Sequence, residues 1–231
     1  MGLIIIFVGF MLLSWIVSSR LKSKFKKYSR IPLGHGMTGR DVAEKMLRDN
    51  NIHDVRVVSV RGQLTDHYNP TNKTVNLSPE VYAGQGVSAA AVAAHECGHA
   101  VQHAEGYAPL EMRSALVPIQ NVSSRVLNIM FMVMIFGGMM LPGILPYDLA
   151  MQIIIGCYAV FTLFAFITLP VEINATQRAL VWLDDSGVAR GEVHDQAKDA
   201  LKWAAYTYVV AALSALVTLL YYILRYVGSG D

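Results

Sequence analysis

Hydrophobic positions along this chain fall into two regimes. In four stretches nearly every position is apolar: Gly2–Ser18, Val126–Pro142, Leu149–Leu169 and Ala204–Val227. Each lies near the roughly 17–25 residues an apolar helix needs to cross a bilayer, so about four transmembrane helices are expected. Elsewhere the pattern breaks into short amphipathic pieces. GRDVAEKMLRDNN places Val42, Met46 and Leu47 on one helical face, with Thr38 or Asp41 as the cap and Asn50 near the end. VRVVSV, residues 55–60, reads as a strand. LTDHYNPTNKTVNLS reads as a hairpin turning at Asn69-Pro70-Thr71-Asn72. Ser78-Pro79-Glu80 opens a short helix, Gly84 and Gly86 punctuate, and Ser88 is expected to cap an alanine-rich helix. The fold class expected is a mainly α membrane protein carrying a zincin-like α+β unit with a small sheet.

Composition agrees with the membrane reading. The 231 residues are 54% hydrophobic and 16% charged, with a mean hydropathy of +0.39, too apolar for an ordinary soluble domain. A net charge of +2 argues against a nucleic-acid partner. Two cysteines, Cys97 and Cys157, make no disulfide framework. The first span lacks a basic leader and a small-residue cleavage site, so it reads as an uncleaved anchor rather than a signal peptide.

Charge then sets orientation. Arg20, Lys22, Lys24, Lys26, Lys27 and Arg30 follow the first span directly, and such clusters mark the cytoplasmic side and can touch anionic lipid. The expected organisation is an anchor at 1–18, a cytoplasmic zincin-like segment at 19–125, two spans within 126–169, a cytoplasmic helical segment at 170–203 and a last span at 204–227. In that topology every Lys and Arg except Arg225 falls on an inner segment. The expected location is the cell membrane, with the chemistry facing the cytoplasm.

That chemistry is concentrated in VSAAAVAAHECGHAVQHAEG, residues 87–106. Helical residues four apart project side by side, so His95 and His99 can converge on one Zn²⁺. Glu96 between them is placed to act as general base. His103 lies about 12 Å along a straight helix from His95, too far to share the ion. It is expected near the surface or behind the ligands. Catalytic zinc wants three protein ligands and an open position. Glu105 and Glu111 are too close in sequence to fold back, and Asp148 falls on the outer side. Glu172, in LPVEINATQRAL where the third span ends, is the remaining carboxylate, and burial at that boundary demands a partner. Pro170 is expected to begin a new helix there, Ala175 to let the helices approach, and Asn174 and Arg178 to flank the site. An ordinary interfacial pairing of Glu172 with Arg178 is the alternative. His67, Arg178 and His194 are unranked candidates for stabilising the oxyanion.

The stretches LTDHYNP, AAHECGHAVQH, YAPLEMRSALVP, LPVEINATQRAL and WLDDSG through KWAAYTYV resemble the YugP-like neutral zinc metallopeptidases of bacterial membranes. More distantly the chain is similar to HtpX-type peptidases and CAAX prenyl proteases, which pair H-E-x-x-H with a later E-x-x-A-D. The resemblance implies a gluzincin peptidase with His95, His99 and Glu172 on zinc and Glu96 as base, acting on protein or peptide substrates. It departs at Thr176, which stands where those relatives carry Asp, so that acid's role must be filled otherwise. Two other classes compete. Site-2-type intramembrane proteases also carry H-E-x-x-H, and WLDDSG echoes their L-D-G segment, but residues 84–104 are too polar to span. A zinc-stabilised scaffold would want four ligands, often cysteines, and Cys97 points away between the histidines.

Overall fold

The computed structural model describes residues 1–34, 36–133 and 146–228. Helix α1 runs Gly2–Tyr28, α2 Gly39–Asp49, β1 Arg56–Ser59, β2 His67–Asn69, β3 Thr74–Leu77 and α3 Pro79–Tyr82. They are followed by α4 Val87–Ala104, α5 Ala108–Met132, α6 Tyr147–Asp185 and α7 Glu192–Val227. The protein is mainly helical, with one small mixed sheet. Among the described residues, α1, α6 and α7 are long and apolar enough to cross a membrane. The predicted span at 126–142 begins in α5 and continues into residues outside those described.

The chain divides into two compact units: residues 15–111 with 170–207, and residues 1–14 with 112–169 and 208–231. In the first, α2 is held by both predicted capping groups at once. Thr38 Oγ1 accepts the Asp41 N–H at 3.2 Å, and Asp41 Oδ2 accepts the Thr38 N–H at 2.9 Å, a reciprocal cap that satisfies two otherwise orphaned donors. Its apolar stripe, Val42, Ala43, Met46 and Leu47, is buried. The sheet order is β1-β3-β2, with β1 parallel and β2 antiparallel to β3. The central strand is buried at every position, and β2 is left as an edge.

The alanine-rich helix α4 is the unit's axis. Its Ala89, Ala90, Ala91, Ala93, Ala94, Cys97 and Ala100 sit in one core with Val42, Met46, Val75, Leu77 and, from α6, Ala179 and Leu183. Small side chains let neighbours approach on several faces. At Gly98 an added Cβ would lie 2.6 Å from the Ala175 carbonyl oxygen, so α4 and the inner part of α6 pack backbone to backbone.

Two local expectations are corrected. The N-cap of α4 is Gly86 and not Ser88, and Ser88 lies inside the helix. A Cβ at Gly86 would meet the Ser29 carbonyl oxygen at 2.3 Å, and Gly86 bridges to Pro32. Backbone crowding, not a side-chain cap, therefore starts the helix. Pro170 does not begin a helix but lies inside α6, which is continuous from Tyr147 to Asp185. Proline inside long apolar helices is tolerated where neighbouring groups satisfy the freed carbonyl. At its other end α4 stops as glycine dictates. Gly106 has φ +63°, the Tyr107 N–H donates to the Gln102 carbonyl at 2.9 Å and the Gly106 N–H to that of His103 at 3.2 Å, a Schellman termination.

In the second unit Leu127, Met130, Met151, Ile154, Cys157 and Tyr222 form a small cluster. Large apolar side chains such as Ile4, Ile5, Phe7 and Leu224 remain exposed, as expected of helix faces whose solvent is lipid.

Candidate metal centre

His95 and His99 lie one turn apart on α4, with ring centroids 4.9 Å apart and planes near perpendicular. Glu172, 2% exposed, is brought over them by the close α4–α6 packing at Gly98 and Ala175. Its Oε2 stands 3.3 Å from His95 Nε2 and 3.5 Å from His99 Nε2. These three residues form a group able to hold a metal ion, with their ligand atoms within 4.8 Å of one another. Ligands about 2.1 Å from a tetrahedral zinc stand about 3.4 Å from each other, so the donor set, two imidazole nitrogens and one carboxylate oxygen, fits zinc in both type and spacing.

Each imidazole is oriented from behind. His99 Nδ1–H donates to Gln102 Oε1 at 3.0 Å, and His95 Nδ1 and Thr176 Oγ1 are hydrogen-bonded at 3.2 Å. These contacts turn each Nε2 towards Glu172. Gln102 is 0% exposed and ties the two helices together: its Nε2 donates to the Val171 carbonyl at 2.8 Å and to Asn174 Oδ1 at 2.9 Å. Thr176 thus supplies a supporting contact to the first histidine.

Electrostatics reflect the crowding. Burial pushes the Glu172 carboxyl up, but the hydrogen bonds and charge of His95 and His99 outweigh it and hold it well below the usual carboxylate range. Burial pushes His99 down, while Glu172 and Glu96 more than offset this and leave it above the ordinary imidazole value. The two shifts describe one mutually attracting cluster, the arrangement a divalent cation would replace.

Glu96 is buried, and its Oε2 accepts the Tyr68 backbone N–H at 3.0 Å. Edge strand β2 therefore reaches the motif directly. Tyr68 O–H and His103 Nδ1 are 2.8 Å apart, so His103 supports β2 from an exposed position on α4. Arg178 turns to Glu105 at 2.7 Å and to Asn174 Oδ1 at 2.7 Å. His194 Nε2 meets the Leu180 carbonyl at 3.2 Å, and exposed His67 meets that of Thr65 at 2.7 Å. Glu111 and Asp148, like Glu105, are not in the ligand group. Sequence reasoning missed Tyr68, whose contribution is a backbone N–H, and Gln102, whose spacing of three from His99 was the available signal.

A helix presenting two histidines to a buried carboxylate on a second helix is the type of centre a zinc peptidase requires. The family model described as "Putative neutral zinc metallopeptidase" matches residues 3–227, and the chain belongs to that family. It is 41% identical over 219 residues, 95% of this chain and 94% of the relative, to "Putative membrane protease YugP" of Bacillus subtilis (strain 168). No solved structure matches.

Proposed function

We propose that the protein is a gluzincin-type zinc endopeptidase of the cell membrane that hydrolyses protein substrates at the cytoplasmic face. The observation that carries this is the single Glu172 oxygen 3.3 and 3.5 Å from two helix-borne Nε2 atoms, the spacing of ligands on one small cation. His95, His99 and Glu172 would hold the ion, and Gln102 and Thr176 would keep the imidazoles in the required tautomer. Zinc there supplies Lewis acidity, bringing water towards neutral pKa and polarising a scissile carbonyl.

Glu96 takes the proton from the attacking water and returns it to the leaving amine. The Tyr68 N–H holds one carboxylate oxygen and so orients the other towards the reacting atoms. Edge strand β2 lies beside Glu96 and is suited to flank the path of an extended peptide. The cytoplasmic assignment is supported by the basic run that follows the first apolar stretch. The membrane setting is supported by the three long apolar helices and by the description of the Bacillus relative.

The test is degradation of unfolded casein by purified, zinc-loaded protein, with chelator as control. Glu96→Gln should lower the rate roughly 10²–10⁴-fold while zinc content stays at the parental level. Parental activity in that variant would remove Glu96 from the mechanism.

A further inference from the structure

The basic run that ends α1 divides into two faces with different partners. Lys24 Nζ lies 2.6 Å from Asp199 Oδ2, and the Tyr28 hydroxyl donates to the same oxygen at 2.6 Å. Tyr28 is buried, and Phe25 packs on the core. These contacts fix the rotation of the inner end of α1. Lys22 and Lys26 lie one turn apart on α1, about 40° apart around it, Arg30 follows just past the helix end, and all three stay exposed. They form one wall of a cavity of about 670 Å³, and Gln63, Leu64 and Glu80 belong to the other.

That cavity has the size of a small-ligand site, and its charge is one-sided. Three cations face one carboxylate, Glu80, which already accepts from Gln63 Nε2 at 3.0 Å. No ion pair joins Lys22, Lys26 or Arg30 to a carboxylate among the described residues. Opposite them Leu64 takes a left-handed backbone, φ +55°, which disfavours leucine, and its side chain is left 46% exposed. The loop is pinned by Asp66 Oδ1, which accepts the Ser78 N–H at 2.7 Å. A held loop that projects an apolar side chain beside a cationic wall suits a ligand with both an anionic and an apolar part. Lys22 lies four residues past the predicted end of the first span, about 6 Å of rise, which is headgroup depth.

We propose that this cavity binds the phosphodiester headgroup of an anionic membrane lipid, with Lys22, Lys26 and Arg30 on the phosphate and Leu64 against the apolar part. The inference rests on α1 crossing the membrane and is independent of the peptidase reading, because its readout is lipid binding. Free phosphate has no use for Leu64, and its binding is the outcome that separates the two sources.

The experiment titrates the detergent-solubilised full chain with phosphatidylglycerol, phosphatidylcholine or inorganic phosphate and counts bound molecules by native mass spectrometry. A cation near a membrane surface contributes about fivefold, so the combined Lys22→Gln, Lys26→Gln and Arg30→Gln variant should lose roughly a hundredfold in phosphatidylglycerol affinity and Lys26→Gln alone about fivefold. Lys22→Arg with Lys26→Arg should bind as the parent does, which separates charge from folding. Leu64→Ser should weaken phosphatidylglycerol and leave inorganic phosphate unchanged. The proposal is overturned if phosphatidylcholine binds equally, if inorganic phosphate competes at equal concentration, or if neutralising Arg40, Lys45 and Arg48 costs as much affinity.

Discussion

Helices α1 and α4 have similarly apolar sequences but opposite fates. On α4 Val87 and the alanines from Ala89 to Ala100 are almost wholly buried, and Glu96, His99 and Gln102 among them are hydrogen-bonded to specified atoms. On α1 the residues Ile4, Ile5, Phe7, Met11 and Trp15 stay exposed. The difference is one of solvent. A helix that packs backbone to backbone against protein needs small side chains, and its buried charged and amide groups must find partners. One that faces lipid needs bulk and length but no partner. Apolar character alone therefore does not say which residues form a core, and side-chain size is the better guide.

The sharpest way to break this contrast is to unbalance the packed, polar side. Glu172→Ala removes the carboxylate shared by both histidines and should reduce zinc affinity by more than a hundredfold. Gln102→Ala or Thr176→Val, which leave the proposed ligands in place, should cost about 10–100-fold. Metal competition with a chromogenic chelator measures all three. Equal affinities for Glu172→Ala and the parent would mean that the carboxylate is not a ligand.

Gly98→Val tests the close approach itself. Its Cβ would meet the Ala175 carbonyl oxygen at 2.6 Å, so the variant should lose about 1–3 kcal/mol and bind zinc less tightly as Glu172 is displaced. Thermal melts in detergent, with and without metal, read both effects.

Truncation on the two surfaces should differ in the same direction. Val75→Ala, in the fully buried central strand, should cost about 1–3 kcal/mol. Ile5→Ala, on the exposed face of α1, should stay within about 0.5 kcal/mol. Comparable losses would show that the α1 face packs against protein.

The smallest expected effect is electrostatic. Hydrogen bonds from Lys24 and Tyr28 hold the Asp199 carboxyl below its ordinary value. A depressed carboxylate stabilises the fold above its unfolded pKa of about 3.9, and that contribution is lost as pH falls through the lower folded value. The melting temperature of the parent should therefore exceed that of Asp199→Asn near neutrality and converge with it in acid. A gap that persists below the folded value would point to packing instead.

Much of this could be read from the residues in order. Helix α2, the hairpin of β2 and β3 and the short α3 follow from local signals such as the Thr38–Asp41 cap and the Asn69–Asn72 turn, because their hydrogen bonds close within a few positions. His95, Glu96 and His99 were legible for the same reason, since one helical turn relates them. Glu172 was reached by a longer argument, from the burial of a charge where a span ends. The start of α4 and the role of Pro170 were misread because backbone crowding from Ser29 and helix continuity leave no local mark.

By itself, then, the order of residues determined the apolar helices, the orientation signal in the basic run and the histidine pair, all properties of neighbours along one chain. Only the tertiary structure decided that a Tyr68 backbone N–H would hold Glu96, that Gln102 would join α4 to α6, and that Thr176 would stand behind His95. Those contacts link residues 28, 69 or 72, and 81 positions apart. They depend on how closely two backbones can pack, which no local pattern of side chains encodes.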